Sequence, residues 1–178
     1  MHLFHFNIVC SDFDASYDFY TNVVGMEALT RSRADFDPPA DKPTSTSSGY
    51  RPGEGRSGPG DGVQIADLLG FEGSGEYRGA FLYFGSNRSG TYLDLLEWKD
   101  PGDTVRRSAR DIGLARVAIY VDSLEEHLAR LEQHGVQTLS EPKELILGVT
   151  RVRVVCFRDP DDVLLEYIEF IDRPWGST

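Results

Sequence analysis

The chain has 178 residues, and 29 Asp and Glu against 18 Lys and Arg give it a formal net charge of -11. That length suits one domain or two small fused modules, and 40% hydrophobic residues are enough to build a core. The acidic balance argues against nucleic acid and against an anionic membrane surface, because both attract clustered Lys and Arg. No apolar run approaches the roughly 18 residues that span a bilayer, and the N-terminus lacks a secretory signal. We therefore expect a soluble, cytoplasmic protein that binds neither nucleic acid nor membranes.

The first elements in chain order are an apolar strand and an amphipathic helix. The strand covers residues 4–10, and Ser11 and Asp12 mark the start of the helix. Apolar residues recur along the helix at spacings of three and four, which predicts one buried face. They are Phe13, Tyr17, Tyr20 and Val24. Gly25 is a typical C-terminal stop.

Residues 114–135 repeat the same plan, with a strand over 116–121 and a helix that ends at Gly135. Ser123 and Glu126 have the spacing of a capping box. His127 falls in the middle of this helix and His134 in its last turn, where we expect a surface position or a favourable interaction with the helix dipole.

Each half then continues with strands. Strong strand pairs are predicted at 80–84 with 92–98 and at 151–157 with 163–170, and weaker strands at 28–33 and 137–140. The sequence therefore predicts an α+β fold of two tandem βαβββ modules, since each half reads as a strand, a helix and three strands.

The predicted boundaries follow from composition. Module one spans residues 1–99, a connector 100–112, module two 113–172 and a tail 173–178. A Gly-, Pro- and Ser-rich insertion at about 36–75 interrupts module one. The insertion is either a flexible segment or a lid or oligomer contact.

Candidate site residues emerge from the two-residue period of strands. His5 shares its face with Asn7 and not with the more apolar set that should pack on the helix. Asp94 and Glu166 lie within apolar strands, where a buried carboxylate is unfavourable unless it is paired, protonated or bound to a metal. Taken singly, each residue is compatible with an ordinary structural position.

The duplicated pattern strengthens the case for a site. Asp94 and Glu166 hold equivalent positions in the two modules, and Arg116 holds the position of His5. If pseudo-twofold symmetry relates the modules, the four residues converge. One imidazole and two carboxylates would suit a divalent first-row metal.

Several stretches together resemble the vicinal oxygen chelate superfamily, which includes glyoxalases, methylmalonyl-CoA epimerase, extradiol dioxygenases and bleomycin-resistance proteins. They are residues 5–12, 18–20, 24–25, 92–97, 113–122 and 159–166. The resemblance implies a curved mixed sheet that forms a cup around a metal ion, Zn, Ni, Mn, Co or Fe. It implies His5, Asp94 and Glu166 as ligands, with Glu166 or Asp94 also moving a proton.

Arg116 departs from the family pattern because it stands where a third ligand, commonly His, is expected. A guanidinium cannot coordinate a metal. Either a three-ligand site survives, or Arg116 neutralises the carboxylates of a metal-free protein, or it binds an anionic substrate group. Asn7, Tyr92 and Tyr120 are further candidates for substrate binding.

The resemblance leaves several functions open. The first is a metal-dependent lyase, isomerase or epimerase that acts on a small oxygenated metabolite. The alternative is a metal-free, drug-sequestering protein of the bleomycin-resistance type, and an extradiol dioxygenase fits less well. A further possibility is a partner protein that binds no ligand and whose cup is vestigial. Relatives commonly dimerise, so we also expect a homodimer.

Overall fold

The computed structural model describes residues 3–29, 69–70, 72, 77–84, 90–103 and 108–172. The chain divides into two compact units, Met1–Asp103 and Thr104–Thr178. Most of the predicted insertion at about 36–75 and all of the tail lie outside the described residues.

Each unit contains one mixed four-stranded sheet. The strands of the first unit are β1 (His5–Val9), β2 (Glu27–Ala28), β3 (Tyr77–Tyr83) and β4 (Tyr92–Trp98). Those of the second are β5 (Val117–Tyr120), β6 (Lys143–Leu147), β7 (Thr150–Arg158) and β8 (Leu164–Phe170). The orders are β1-β4-β3-β2 and β5-β8-β7-β6, and in each sheet the first strand pairs parallel with the last. The predicted α+β fold of tandem modules is confirmed, because the two halves share one strand order.

The helix of the first unit starts where the sequence predicts and then widens. Asp12 caps α1 (Phe13–Asp18) by accepting from the Ala15 N–H at 3.0 Å. A π-helical segment, Phe19–Val24, follows and ends at Gly25 with φ 88°. In this wider turn Phe19, Tyr20, Val23 and Val24 are all buried.

Two contacts show which face of the first sheet the helix covers. Glu97 of β4 accepts from the Phe13 N–H at 3.1 Å, and Arg78 of β3 lies 4.7 Å over the Phe13 ring. Successive strand residues point to opposite faces, so Leu93 and Leu95 lie under α1 and Asp94 points away from it.

The second unit places its helix in the same way. Ser123 caps α2 (Leu124–Gln133) by accepting from the Glu126 N–H at 3.4 Å. Arg153 of β7 reaches Glu125 of the helix at 2.5 Å, and the ring of Tyr167 on β8 lies 4.9 Å from that of His127. His127 is therefore half-buried, and the expectation of a surface position was wrong.

The weak strand predicted at 137–140 was also wrong. Thr138 forms one isolated bridge to Phe157, and the strand lies further along, at β6. Every residue of β6 is exposed, so it carries no alternation of buried and exposed positions. A tight turn through Gly148, with φ 64°, returns the chain to β7. The strand predicted at 28–33 overlaps β2 only at Ala28, and residues 30–33 lie outside the described part of the chain.

None of the helices in the described part of the chain is both long enough and apolar enough to cross a membrane.

Candidate functional site

In the first unit, four predicted site residues share the sheet face that points away from α1. Asn7 and Asp94 are in-register partners across the parallel pair β1 and β4, and His5 is the partner of Tyr92. Phe81 of β3 is the partner of Asp94 on its other side. These residues thus form one continuous patch, which we call the His5–Asp94 face.

Asp94 is a buried carboxylate with one oxygen satisfied. It is 8% exposed, and its Oδ2 accepts from the Asn7 Nδ2 at 2.8 Å. Its Oδ1 is buried and has no hydrogen-bond partner within the described ranges. Burial raises the pKa of Asp94, while the charge of His5 and the hydrogen bond from Asn7 act to lower it. Keeping the Asp94 carboxylate ionised in this buried position therefore costs free energy, which is typical of groups at functional sites.

His5 lies among aromatic rings. Its ring centroid is 5.2 Å from that of Phe4 and 5.7 Å from that of Phe81. Tyr92 is buried beside them, 6.0 Å from Phe81 between ring centroids. The His5 Nδ1 is buried and, in the part of the chain that is described, accepts or donates no hydrogen bond. The face thus presents an imidazole nitrogen and a carboxylate oxygen that form no hydrogen bond within the described part of the chain.

The second unit has the same register but a different chemistry. Ala118 is the partner of Glu166, so it corresponds to Asn7, and Arg116 two residues earlier corresponds to His5. Glu166 is 7% exposed, and the Arg116 Nε lies 2.8 Å from its Oε2. The Cys156 Sγ is 3.8 Å from the same oxygen. The carboxylate of this unit is therefore already paired with a cation.

Tyr120 lies on the Glu166 side of its sheet, as the partner of Ile168. It is 49% exposed, and its hydroxyl donates to the Asp122 Oδ1 at 2.6 Å.

The structure groups the predicted residues by unit: His5, Asn7, Tyr92 and Asp94 in the first, and Arg116, Tyr120 and Glu166 in the second. The sequence analysis did not single out Phe81 or Cys156, although both are in register with a predicted carboxylate. Nor did it identify Asn7 as a donor to Asp94. Strand parity had placed Asn7 on the same face as His5 but could not show its contact with Asp94.

Comparison with known proteins identifies the family of the chain. A sequence profile of the Glyoxalase/Bleomycin resistance protein/Dioxygenase superfamily matches residues 2–167. The chain belongs to this superfamily. Among curated proteins, none matches the chain significantly.

Solved structures show the same fold at low sequence identity. A glyoxylase/bleomycin resistance protein/dioxygenase domain from Frankia is 20% identical, with a TM-score of 0.56 and coverage of 93% of this chain and 94% of that one. A glyoxalase I mutant from Zea mays is 18% identical with a TM-score of 0.60. That match covers 97% of this chain but 47% of the maize chain, so the protein spans about half the length of that enzyme.

The superfamily often uses a divalent metal ion, and the first unit fits one in part. The His5 Nδ1 and the Asp94 Oδ1 are metal-ligand atoms of suitable type on one face, and neither has a hydrogen bond to a residue that the structure describes. The second unit fits less well, since Arg116 holds Glu166. No cluster of three or more His, Cys, Asp or Glu side chains with metal-site geometry occurs among the described residues.

Proposed function

We propose that the protein is a metal-dependent lyase, isomerase or epimerase of the glyoxalase type, acting on a small oxygenated metabolite. The observation that carries the proposal is the pair of buried atoms on the His5–Asp94 face, the His5 Nδ1 and the Asp94 Oδ1, that have no hydrogen-bond partner among the described residues. Buried polar atoms are normally hydrogen-bonded, so two on one face point to a bound group.

In this proposal His5 and Asp94 hold the ion, which is Zn, Ni, Mn, Co or Fe. When bound, a divalent ion supplies Lewis acidity that polarises a substrate carbonyl. Glu166 keeps the role that its position in the family implies, as a ligand or proton carrier, once its ion pair with Arg116 opens. Asp94 is the alternative proton carrier, because its raised pKa brings it closer to the working range of a general base.

The aromatic residues of the first unit suit a ligand that is partly apolar. Phe4, Phe81 and Tyr92 lie around His5 and offer flat, apolar ring surfaces. Asn7, Tyr92, Arg116 and Tyr120 are the proposed substrate-binding residues. Asn7 and Tyr120 have side-chain groups already engaged within their units.

A second candidate function has its own observation. The Arg116–Glu166 pair removes one carboxylate from metal binding, which favours a metal-free, drug-sequestering protein of the bleomycin-resistance type. In that case the aromatic rings would bind a planar ligand by burial and stacking. Extradiol dioxygenation is the third possibility in the family.

Elemental analysis by mass spectrometry decides between them. Untagged protein purified without chelators should carry close to one equivalent of metal. His5→Ala and Asp94→Ala should each lose most of it, while His134→Ala, on the exposed end of α2, should retain it. Wild-type metal content in both site variants refutes the site. No metal even after reconstitution with each ion favours the ligand-binding protein, and iron would favour oxygenation.

We also propose that the protein is a cytoplasmic homodimer and that it binds a small-molecule substrate or ligand. Family relatives commonly pair, and the exposed edge strands of open sheets favour association.

A further inference from the structure

We propose that Asn7 is a positioning residue that holds the Asp94 carboxylate so that its Oδ1 stays free to bind a cation. This inference rests on the proposed function, in which His5 and Asp94 hold a metal ion.

The first observation is the contact itself. The Asn7 Nδ2 lies 2.8 Å from the Asp94 Oδ2, although the two residues are 87 positions apart in the chain. They are in-register partners on the same face of adjacent parallel strands. An ionised carboxylate can only accept, so the amide N–H₂ of Asn7 must face it.

The second observation concerns the other oxygen of the carboxylate. The Asp94 Oδ1 is buried without a hydrogen bond from any described residue. The Asn7 amide, held on Oδ2, restricts rotation of the Asp94 carboxylate, so Oδ1 keeps one orientation on the His5–Asp94 face. Groups that orient a metal ligand in this way commonly change its metal affinity 10–100-fold.

The third observation is the contrast between the units. The position of Asn7 is occupied in the second unit by Ala118, which has no donor, and Glu166 is held by the Arg116 guanidinium instead. Arg116 brings a full positive charge that cancels the carboxylate. The amide of Asn7 is neutral, so Asp94 is held in place and keeps its negative charge for a cation.

The test is Co²⁺ binding to the full chain, measured by titration calorimetry and by the absorption spectrum of the bound ion. Asn7→Ala removes the donor, and Asn7→Leu removes it while keeping a similar shape. Both should weaken Co²⁺ binding about tenfold or more and alter the spectrum. Val9→Ala is the matched control, because Val9 lies on the same strand and face, is 48% exposed and is in register with Leu96.

The outcomes separate this inference from the proposed function. Wild-type affinity and an unchanged spectrum in both Asn7 variants, with binding lost in Asp94→Ala, overturn the role of Asn7 and leave the metal site standing. Wild-type protein that binds no Co²⁺, Ni²⁺ or Zn²⁺ overturns both. Weakened binding with an unchanged circular dichroism spectrum supports the inference, since a merely structural change would also alter the fold.

Discussion

The Arg116 Nε lies 2.8 Å from the Glu166 Oε2. In the second unit a guanidinium thus pairs with the buried carboxylate, whereas in the first unit the Asn7 amide binds Asp94 and the His5 imidazole lies on the same face. Arg116 is half-exposed, whereas the Glu166 side chain is only 9% exposed. The half-exposed Arg116 guanidinium therefore compensates the charge of the buried Glu166 carboxylate. It is a chemical difference between two units that share one strand order.

Removing the cation should destabilise the protein. Arg116→Met leaves the Glu166 carboxylate buried and uncompensated, which should lower the free energy of unfolding by about 1–3 kcal/mol in urea denaturation. Adding Glu166→Gln should recover part of that loss, because the charge is then gone. Arg151→Met is the control, since Arg151 and Asp172 are both exposed and their pair should contribute little. Strictly additive effects of the Arg116 and Glu166 changes would contradict the coupling.

Exchanging the cation for an imidazole should change metal binding. Arg116→His removes the partner of Glu166 and places a possible ligand at the position that corresponds to His5. We expect a higher metal affinity than in the wild-type protein, by titration with Zn²⁺ or Ni²⁺. Arg116→Gln, which releases Glu166 without adding a strong ligand, is the matched control. An equal affinity in wild type and Arg116→His would argue against any participation of Glu166.

Asp94 should reduce stability at neutral pH. Burial raises the pKa of Asp94, so the folded state binds its proton more tightly than the unfolded state does. This group therefore makes the protein more stable as pH falls through the raised pKa, and less stable above it. Asp94→Asn should raise the free energy of unfolding at pH 7 by about 0.5–2 kcal/mol while losing metal. A less stable variant at pH 7 would show that the carboxylate contributes to the fold.

His127 should make stability fall in mild acid. Burial against Tyr167, and next the charge of Arg130, lower the pKa of His127. As pH falls, His127 takes up its proton at a higher pH in the unfolded state than in the folded state. The free energy of unfolding therefore decreases as pH falls from about 6.5 towards the lower pKa of the folded state. Glu126 and Asp122 act in the opposite direction and moderate the effect. His127→Phe retains a ring against Tyr167 and should remove this part of the slope, measured as the urea midpoint between pH 7 and 5. An unchanged slope would assign it to other groups.

The proposed homodimer can be measured directly. Size-exclusion chromatography with light scattering should give about twice the chain mass of 19.9 kDa at micromolar concentration. A monomer mass under those conditions would reject the dimer.

The sequence by itself determined the duplicated plan and the faces of its strands. The helix starts at Asp12 and Ser123 were predictable because capping depends on residues three positions apart. The parity that separated His5 from the helix-packed face is equally local. The exposed strand β6 was not predictable, because a strand without buried positions has no periodic signal and is defined by its pairing with β7.

The tertiary structure decided which partner each carboxylate has. Strand parity placed Asn7 on the right face, but its bond to Asp94 joins residues 87 positions apart and depends on the register of β1 against β4. In the second unit, Arg116 and Glu166 meet only because β5 pairs with β8. Hydrogen bonds and ion pairs form within about 3 Å, and separation along the chain does not specify distances that small. Sheet register sets them.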